Sequence, residues 1–220
     1  TKEAEDLIDI LTESSNSEEA IKRIENNQFL LPAIQREFVW PYNKIEWLFD
    51  SIMKGYPISS FLFWNVEEKT AQGYQFYTFI KKYRERYATH NEEISTDGSG
   101  SFYAVLDGQQ RLTSLYLGLK GSYAYKGYRK KWENTEDNIP TRHLYLNISR
   151  KLVDQEDSRE YEFAFQAKNA TKGQELYIEK SDAEFPTTWF KVGAILNYTD
   201  EEKFDNFVET FESKYSRTAL

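Results

Sequence analysis

The sequence contains no cysteine, and this absence removes several classes of chemistry. Without a thiol the chain forms no disulfide, holds no zinc through thiolates and uses no cysteine nucleophile. Histidine is also scarce, since only His90 and His143 are present and they lie in unrelated sequence contexts. A histidine metal site needs further ligands close by, so both residues are expected to have ordinary structural roles. The lack of cysteine fits a reducing cytoplasm.

Long apolar runs are absent as well. No stretch of the sequence approaches the roughly 20 residues that a membrane-spanning helix requires. The chain also does not open with the pattern of a signal peptide. We therefore predict a soluble, cytoplasmic protein that has no membrane partner.

Basic residues are in the minority overall, because the formal net charge is −8 and the pI is about 5.0. This balance argues against a broad, non-specific grip on a phosphate backbone, which normally requires a basic face. Two local exceptions, residues 81–86 and residues 126–131, are rich in Lys and Arg and interleaved with tyrosines. Each is explained either as a solvated loop or strand edge, the usual place for charge, or as a contact for nucleic acid. The sequence leaves both explanations open.

Aromatic residues are abundant, with 15 Phe, 16 Tyr and 5 Trp. That is too many for a disordered chain, and 220 residues suffice for one large domain, with or without a small appendage. Helical and strand-like patterns alternate in the first half, which predicts an α+β fold with α/β-like features. We expect a helical lead-in over 1–25, a core over 26–125, and a mixed β extension with a terminal helix over 126–220.

Short apolar runs and their boundaries predict the individual elements. Strands are expected over 29–31, 58–66, 74–79, 102–106, 143–148 and 161–165, with a polar loop over 88–101. Helices are expected over 4–11, 17–24, 43–55 and 112–119, and a last one opens near residues 199–200 and has its apolar residues over 204–211. Asn43, with Glu46 three residues later, resembles a capping box at the start of the helix over 43–55.

The stretch Asp107-Gly108-Gln109-Gln110-Arg111-Leu112-Thr113-Ser114-Leu115 is the most informative in the chain. It follows a predicted buried strand and leads into an amphipathic helix, so the Asp-Gly pair forms a tight turn between them. Two glutamines and an arginine then lie at the end of the helix where unpaired backbone N–H groups bind anions. An arginine fork is suited to phosphate oxygens. The pattern indicates a phosphate or nucleotide site.

A purely structural explanation of the same residues is also open. Asp107 has the chemistry of a helix cap, and Gly108 allows a tight turn without any ligand. Arg111 lies one helical turn after Asp107, so the two side chains are positioned to pair with each other. Short motifs of this kind do not decide between the two explanations.

Two segments together carry a more specific signal. The first is Ile34-Gln35-Arg36-Glu37-Phe38-Val39-Trp40, followed by a helix, and the second is the stretch that begins at Asp107. In order and separation they resemble the N-terminal domain of GmrSD-type restriction endonucleases, which belong to the ParB/sulfiredoxin-like superfamily. The resemblance covers residues 20–120, and Phe190-Lys191-Val192-Gly193 is similar to the later region of the family. It implies a ParB/sulfiredoxin-like mixed sheet with flanking helices.

The resemblance also implies one site, formed by both motifs, that binds and hydrolyses nucleoside triphosphates with Mg²⁺. In the family this hydrolysis is coupled to cleavage of modified DNA in phage defence. The positions that match nucleotide or phosphate binding are Gln35, Arg36, Gly108, Gln109 and Arg111. The positions that match catalysis are Asp107, Gln110 and Arg111, and Asp107 is also the expected metal ligand. A glutamine, Gln109 or Gln110, has the chemistry to orient an attacking water.

The sequence departs from the family in one respect. Members that cut DNA carry a C-terminal nuclease domain of the histidine-asparagine-histidine type, and no such motif occurs in these 220 residues. We therefore expect the nuclease domain or subunit, if there is one, beyond residue 220. An oligomeric assembly, the preferred nucleotide and the DNA modification are left open by the sequence.

Two further functions are kept as alternatives. The first is a DNA-recognition module for modified DNA without catalysis, in which an aromatic pocket receives a flipped base. Its candidate stacking residues, which are equally explained as core residues, are Trp40, Tyr42, Trp47 and Trp64. The second, ranked last, is a ParB-like nuclease whose metal would be held by Asp107 and Glu37.

Overall fold

The structure is a computed structural model that describes residues 15–34, 36–149, 152, 158–168, 175–179, 186–197 and 206, with the side chains of 15–18 and 179 left aside. The helices are α1 (Ser15–Glu25), α2 (Tyr42–Met53), α3 (Glu68–Ala71), α4 (Gln109–Leu119) and a 3-10 helix, Val192–Asn197. The strands are β1 (Phe29–Pro32), β2 (Leu62–Val66), β3 (Phe76–Tyr77), β4 (Lys82–Arg84), β5 (Glu93–Ile94), β6 (Phe102–Asp107), β7 (Ser122–Ala124), β8 (Thr141–Asn147), β9 (Phe163–Gln166), β10 (Leu176–Glu179) and β11 (Thr187–Lys191). Within the described ranges, no helix is long and apolar enough to cross a membrane.

The first sheet has five strands in the order β2-β6-β1-β3-β5. Its two central strands, β1 and β6, are parallel, with Phe29 opposite Tyr103 and Leu30 opposite Ala104. Strand β2 is antiparallel to β6 and forms one edge of the sheet. Because β1 and β6 are parallel, both end at the same side of the sheet. The segment after β1 and the turn after β6, which contain the two sequence motifs, are therefore brought together.

The second sheet is organised around β8. This strand is antiparallel to β7, β9 and β11, and β11 continues to β10. On the other side β7 pairs in parallel with β4, with Lys82 opposite Ser122. Strand β4 comes from the middle of the chain, so this pairing joins the two halves of the sequence in one sheet.

Helix α4 is the centre of the main core. It packs against α1, α2, β7, β8 and the 3-10 helix. Its predicted apolar face, Leu112, Leu115, Tyr116 and Leu119, is buried as expected. The rest of the helix is buried too, apart from the partly buried Arg111, because it is covered on several sides. At Gly118 an added Cβ would overlap the ring of Phe49 in α2, so only glycine permits this close helix approach.

A smaller core lies on the opposite face of the first sheet. It contains Leu30 of β1 together with Val66, Ala71, Phe76, Phe102 and Ala104. The neighbours of Leu30 in β1, Phe29 and Leu31, belong to the main core instead. Successive side chains of a strand point to opposite faces of the sheet, and here each face is covered by one of the two cores. It explains why all four residues of β1 are buried.

The predicted α+β class is confirmed by the two mixed sheets and their helices. The strand predicted over 58–66 is shorter, Leu62–Val66, and the polar loop over 88–101 contains the short strand Glu93–Ile94. The helix predicted over 4–11 and nearly all of the last one, predicted from about residue 199 to 211, lie outside the described residues. The ParB/sulfiredoxin-like assignment and the three-part organisation of the chain stay predictions.

The predicted capping box at the start of α2 is wrong. Pro41 occupies the N-cap position of this helix, and no side chain caps it. Glu46 instead accepts the backbone N–H of Phe165, with 2.9 Å between nitrogen and Oε1. The carboxylate is used to tie α2 to β9, a contact between residues far apart in the sequence. A local pattern therefore misassigned a tertiary contact.

Candidate functional site

The turn between β6 and α4 is built on Gly108. This residue is the N-cap of α4 with φ 90°, and no side chain caps the helix. The interpretation of Asp107 as a helix cap is therefore wrong. A Cβ at position 108 would overlap the ring of Phe61, so both the backbone conformation and the space require glycine. The turn places the first amides of α4, which have no acceptor inside the helix, at the end of the central strand.

Both glutamines of the motif hold the backbone of the segment that follows β1. The Gln110 side chain accepts the N–H of Val39 at 3.0 Å and donates to the carbonyl of Glu37 at 2.9 Å. The Gln109 side chain donates to the carbonyl of Arg36 at 2.6 Å. These three bonds join segments more than 70 residues apart in the sequence. They fix the first motif against the N-terminus of α4.

One atom of this arrangement lacks a partner. Among the described residues, the side-chain oxygen Oε1 of Gln109 is buried without a hydrogen bond. An unsatisfied buried acceptor costs about 1–3 kcal/mol. A donor brought by a ligand or a water molecule would remove this cost.

A cavity of about 420 Å³ lies at this junction. It is lined by Ile34, Arg36, Trp40 and all five residues from Asp107 to Arg111. A second cavity of about 210 Å³ shares Arg36 and Gln109 with the first and extends to Glu37 and His90. The structure therefore brings Arg36 of the first motif and the whole second motif to one place. Gln35, the other predicted residue of the first motif, lies outside the described residues.

The guanidinium group of Arg111 is held by the protein. It donates to the carbonyl of Ile58, lies 3.4 Å from the Asp107 carboxylate and is 4.9 Å from the centre of the Phe61 ring. Only 17% of its side chain is exposed. The pairing with Asp107 one helical turn earlier is therefore present, and Arg111 still lines the cavity. Arg36, by contrast, is exposed and borders both cavities.

The carboxylate of Asp107 is 70% exposed and borders the larger cavity. Across the described part of the chain, no three or more His, Asp or Glu side chains are grouped in a way that could hold a metal ion. Mg²⁺ is commonly bound by one or two carboxylates plus substrate phosphates. Asp107 therefore fits Mg²⁺ that arrives with a nucleotide, and it does not form a metal site alone. The ParB-like nuclease, which needs a carboxylate cluster, has no support from this geometry.

The sequence did not reveal one polar pair beside the cavity. Glu37 and His90 are 2.7 Å apart, between Oε1 and Nδ1, and both side chains are largely exposed. Fifty-three residues separate them, so no local pattern signals the contact. His143 has a different setting, with its Nδ1 3.1 Å from the carbonyl oxygen of Gly121. Burial, with a smaller effect of Lys191, lowers the pKa of His143, which suits a neutral structural residue.

The four aromatic candidates for base stacking do not form one pocket. Trp40 borders the larger cavity, with the Lys44 ammonium 4.4 Å from its ring centre. Tyr42 stacks on Tyr125, at 4.2 Å between ring centres. The other two are apart from these, Trp64 against the small core and Trp47 beside Arg159. Trp40 alone among the four borders either of the two cavities described here.

The fold and the paired motifs define an α+β domain whose central helix begins at a Gly-Gln-Gln-Arg turn. Residues 17–218 match the N-terminal domain of the GmrSD restriction endonuclease, and the chain belongs to this family. No curated protein matches the chain significantly. The family connects the domain to DNA restriction and phage defence.

Proposed function

We propose that the larger cavity binds a nucleoside triphosphate together with Mg²⁺ and hydrolyses it. The domain then regulates a restriction protein that acts on modified DNA, with a nuclease domain or subunit as its partner. One observation carries this proposal: Arg36 and Arg111 border the same cavity at the N-terminus of α4. Two guanidinium groups and a helix N-terminus form an environment suited to phosphate groups.

The parts of the cavity have different tasks in this proposal. The first amides of α4, beginning at Gly108 and Gln109, bind phosphate oxygens, and the exposed Arg36 neutralises their charge. Arg111 is already fixed by the Ile58 carbonyl, so it presents its charge without a loss of side-chain freedom. Asp107 holds Mg²⁺, which supplies further charge for the phosphates when it is bound.

The two glutamines differ in what they offer. Both polar atoms of the Gln110 side chain are bound to backbone groups of the first motif. Gln110 therefore positions the segment that contains Arg36. Its predicted role in catalysis is to hold this segment in place, without contact to the nucleotide. Gln109 retains a free acceptor, Oε1, which is the better candidate to bind a water or a ligand donor.

A thermal-shift titration with ATP, GTP, CTP and UTP plus Mg²⁺ tests the proposal. A ligand at about 100 times its Kd adds about 2.7 kcal/mol to the free energy of unfolding, which gives a clear rise in Tm. We expect this rise in Tm for at least one nucleotide, and we expect Arg36→Ala to lose it. The Arg36 side chain is exposed, so its truncation should leave the fold intact. Phosphate release by the wild type but not by Asp107→Asn then measures hydrolysis.

Arg129→Ala is the matched control, because Arg129 is also exposed but lies outside the residues that line the cavity. We expect it to bind nucleotide as the wild type does. Equal stabilisation of wild type and Arg36→Ala contradicts the site, and a rise in Tm without phosphate release limits the function to binding.

Recognition of modified DNA is the second candidate function, and Trp40 is the observation that favours it. Its ring borders the cavity and has a lysine close by, a combination suited to a flipped base and its phosphate. We expect Trp40→Ala to lower the affinity for modified DNA more than for plain DNA. Equal, weak binding of both DNAs by the wild type argues against this function.

A further inference from the structure

The two basic segments of the sequence form one surface. Strand β4 ends at Arg84 and its parallel neighbour β7 ends at Ala124, so the chain leaves both strands at the same side of the sheet. The Glu85 N–H donates to the carbonyl of Ala124, and the Lys126 N–H donates to the Glu85 carboxylate. Residues 82–87 and 126–132 are thereby fixed side by side. We call them together the basic-aromatic surface.

Aromatic rings and cations alternate on this surface. The guanidinium carbon of Arg86 is 3.9 Å from the ring centre of Trp132, and the Tyr87 hydroxyl donates to the backbone carbonyl of the same tryptophan. The guanidinium carbon of Arg129 is 5.0 Å from the ring centre of Tyr128. The exposed fractions of these rings are 85% for Tyr128, 43% for Tyr87 and 39% for Trp132. Tyr128 is thus largely open to a ligand, whereas Arg86 covers a face of the Trp132 ring and the Lys126 ammonium lies 5.4 Å from its centre.

Only part of the positive charge is neutralised within the protein. Arg84 pairs with Glu136 at 2.8 Å, and Lys130 pairs with Asp137 at 3.0 Å. Four exposed basic side chains of this surface form no ion pair with a carboxylate in the described part of the chain: Lys82, Arg86, Arg129 and Lys131. Glu136 and Asp137 therefore neutralise only part of the positive charge of the surface.

The surface contrasts with the charge of the whole chain. Within this surface, residues 82–87 contain three basic residues and one acidic residue, and residues 126–132 contain four basic residues and no acidic one. The chain as a whole carries a formal charge of −8. An anionic polymer is therefore repelled by most of the protein and attracted here. The position of the charge, more than its amount, selects the site of contact.

We propose that the basic-aromatic surface binds single-stranded nucleic acid. Tyr128 stacks against an unpaired base, while Arg86, which covers the Trp132 ring, contacts the neighbouring phosphates together with Arg129 and Lys131. Aromatic platforms interleaved with cations are the means by which proteins bind single strands, since each base has a face to stack. A duplex hides those faces, so it contacts the cations alone. This surface is separate from the residues that line the nucleotide cavity.

Fluorescence anisotropy with a labelled single-stranded DNA of about 16 nucleotides tests the proposal, with the same sequence as a duplex for comparison. We expect the single strand to bind more tightly than the duplex. Tyr128→Ala should weaken single-strand binding about tenfold through the loss of one stacking contact, and Tyr128→Phe should retain it. Tyr56→Ala, at a tyrosine exposed elsewhere, is the matched control and should bind as the wild type does.

The salt dependence of the affinity tests the charges. Removing one phosphate contact on a single strand lowers the slope of log K against log salt by about 0.7. We expect this change for Lys131→Ala and no change for the exposed Lys69→Ala, which lies in α3. Absence of binding by the wild type, equal affinity for strand and duplex, or unchanged binding by Tyr128→Ala would each overturn the proposal. Nucleotide binding in the cavity should be unaffected by these variants.

Discussion

The cavity and the basic-aromatic surface both present arginines, but they hold them in opposite ways. In the cavity, Arg111 is mostly buried and is fixed by a backbone carbonyl, a carboxylate and an aromatic ring. On the surface, Arg129 is exposed and lies beside the ring of Tyr128. The first arrangement gives a fixed geometry, which suits a ligand of one shape and a chemical reaction. The second leaves the side chains free to follow a flexible polymer.

Because of this difference, substitutions in the two regions should have different effects on the free energy of unfolding and on ligand affinity. Gln109 and Gln110 also hold the segment between β1 and α2 against α4, so substitutions of these glutamines should lower both the free energy of unfolding and ligand affinity. Substitutions on the basic-aromatic surface should lower affinity alone. The comparison fails if a surface variant unfolds the protein or if Gln110→Ala leaves its stability unchanged.

The largest effect is expected for Gly108→Ala. The new Cβ overlaps the ring of Phe61, and the backbone has φ 90°, so strain and overpacking together should cost about 3 kcal/mol. Gly98→Ala is the control, because Gly98 also has positive φ, 73°, but open space around it. It should cost about 1 kcal/mol. Urea unfolding of both variants measures the difference, and equal losses would show that the contact with Phe61 is unimportant.

Gln110→Ala should cost about 2 kcal/mol. It removes two hydrogen bonds and leaves the Val39 N–H and the Glu37 carbonyl without their partner. Nucleotide affinity should fall as well, since the segment that carries Arg36 is no longer held. Denaturant unfolding and the nucleotide titration, made on the same sample, measure both losses. Gln72→Ala, at an exposed glutamine, should change neither quantity.

The pH dependence of the free energy of unfolding tests Glu46 in α2, a residue that does not line the cavity. Burial raises the pKa of Glu46 from 4.5 to about 7, against the opposing effect of the Phe165 N–H. Between these values the folded protein holds a proton that the unfolded chain releases, so stability falls as the pH rises through this window. We expect Glu46→Gln, which keeps an acceptor for Phe165, to be more stable than the wild type at about pH 8, by about 1–2 kcal/mol.

At about pH 4, below the window, the wild type and Glu46→Gln should have nearly the same stability. Thermal unfolding over the pH range measures the effect. Glu67→Gln, at an exposed position, serves as the control and should follow the wild type. A Glu46→Gln variant with the pH dependence of the wild type would show that Glu46 does not titrate there.

The smallest effect on stability is expected for Tyr128→Ala. Its side chain is 85% exposed, so the free energy of unfolding should change by less than about 0.5 kcal/mol. The same variant should lose single-strand binding, and this combination is the opposite of Gln110→Ala. A large loss of stability would mean that Tyr128 packs against the fold, and the contrast between the two regions would no longer hold.

The sequence predicted the parts of the fold that depend on local patterns. The helix with Leu112, Leu115, Tyr116 and Leu119 on one face, the strand before it and the sharp turn at Gly108 are all present. The spacing of apolar residues and the special backbone freedom of glycine are properties of neighbouring residues. They can therefore be recognised without knowledge of the rest of the chain.

Contacts between distant segments could not be predicted in this way. The hydrogen bonds of Gln110 to the first motif, the pair of Glu37 and His90, and the contact of Glu46 with β9 all join residues more than 50 positions apart. Likewise, the pairing of β4 with β7 brings together two basic segments that looked independent. The family resemblance did supply one long-range prediction, the meeting of Arg36 with the Asp107 motif. It did not indicate that the glutamines hold the backbone.

The parallel pairing of β1 with β6 has a consequence for synthesis of the protein on the ribosome. Phe29 pairs with Tyr103, so the first motif cannot reach its final place until the second motif has been translated. At 5–20 residues per second this interval lasts roughly 4–15 s. During that time β1 lacks its parallel partner β6 and exposes an apolar edge on that side. A chaperone or a slow, non-local folding step is therefore expected to govern the yield of this domain, and translation pauses before residue 111 should lengthen its exposure.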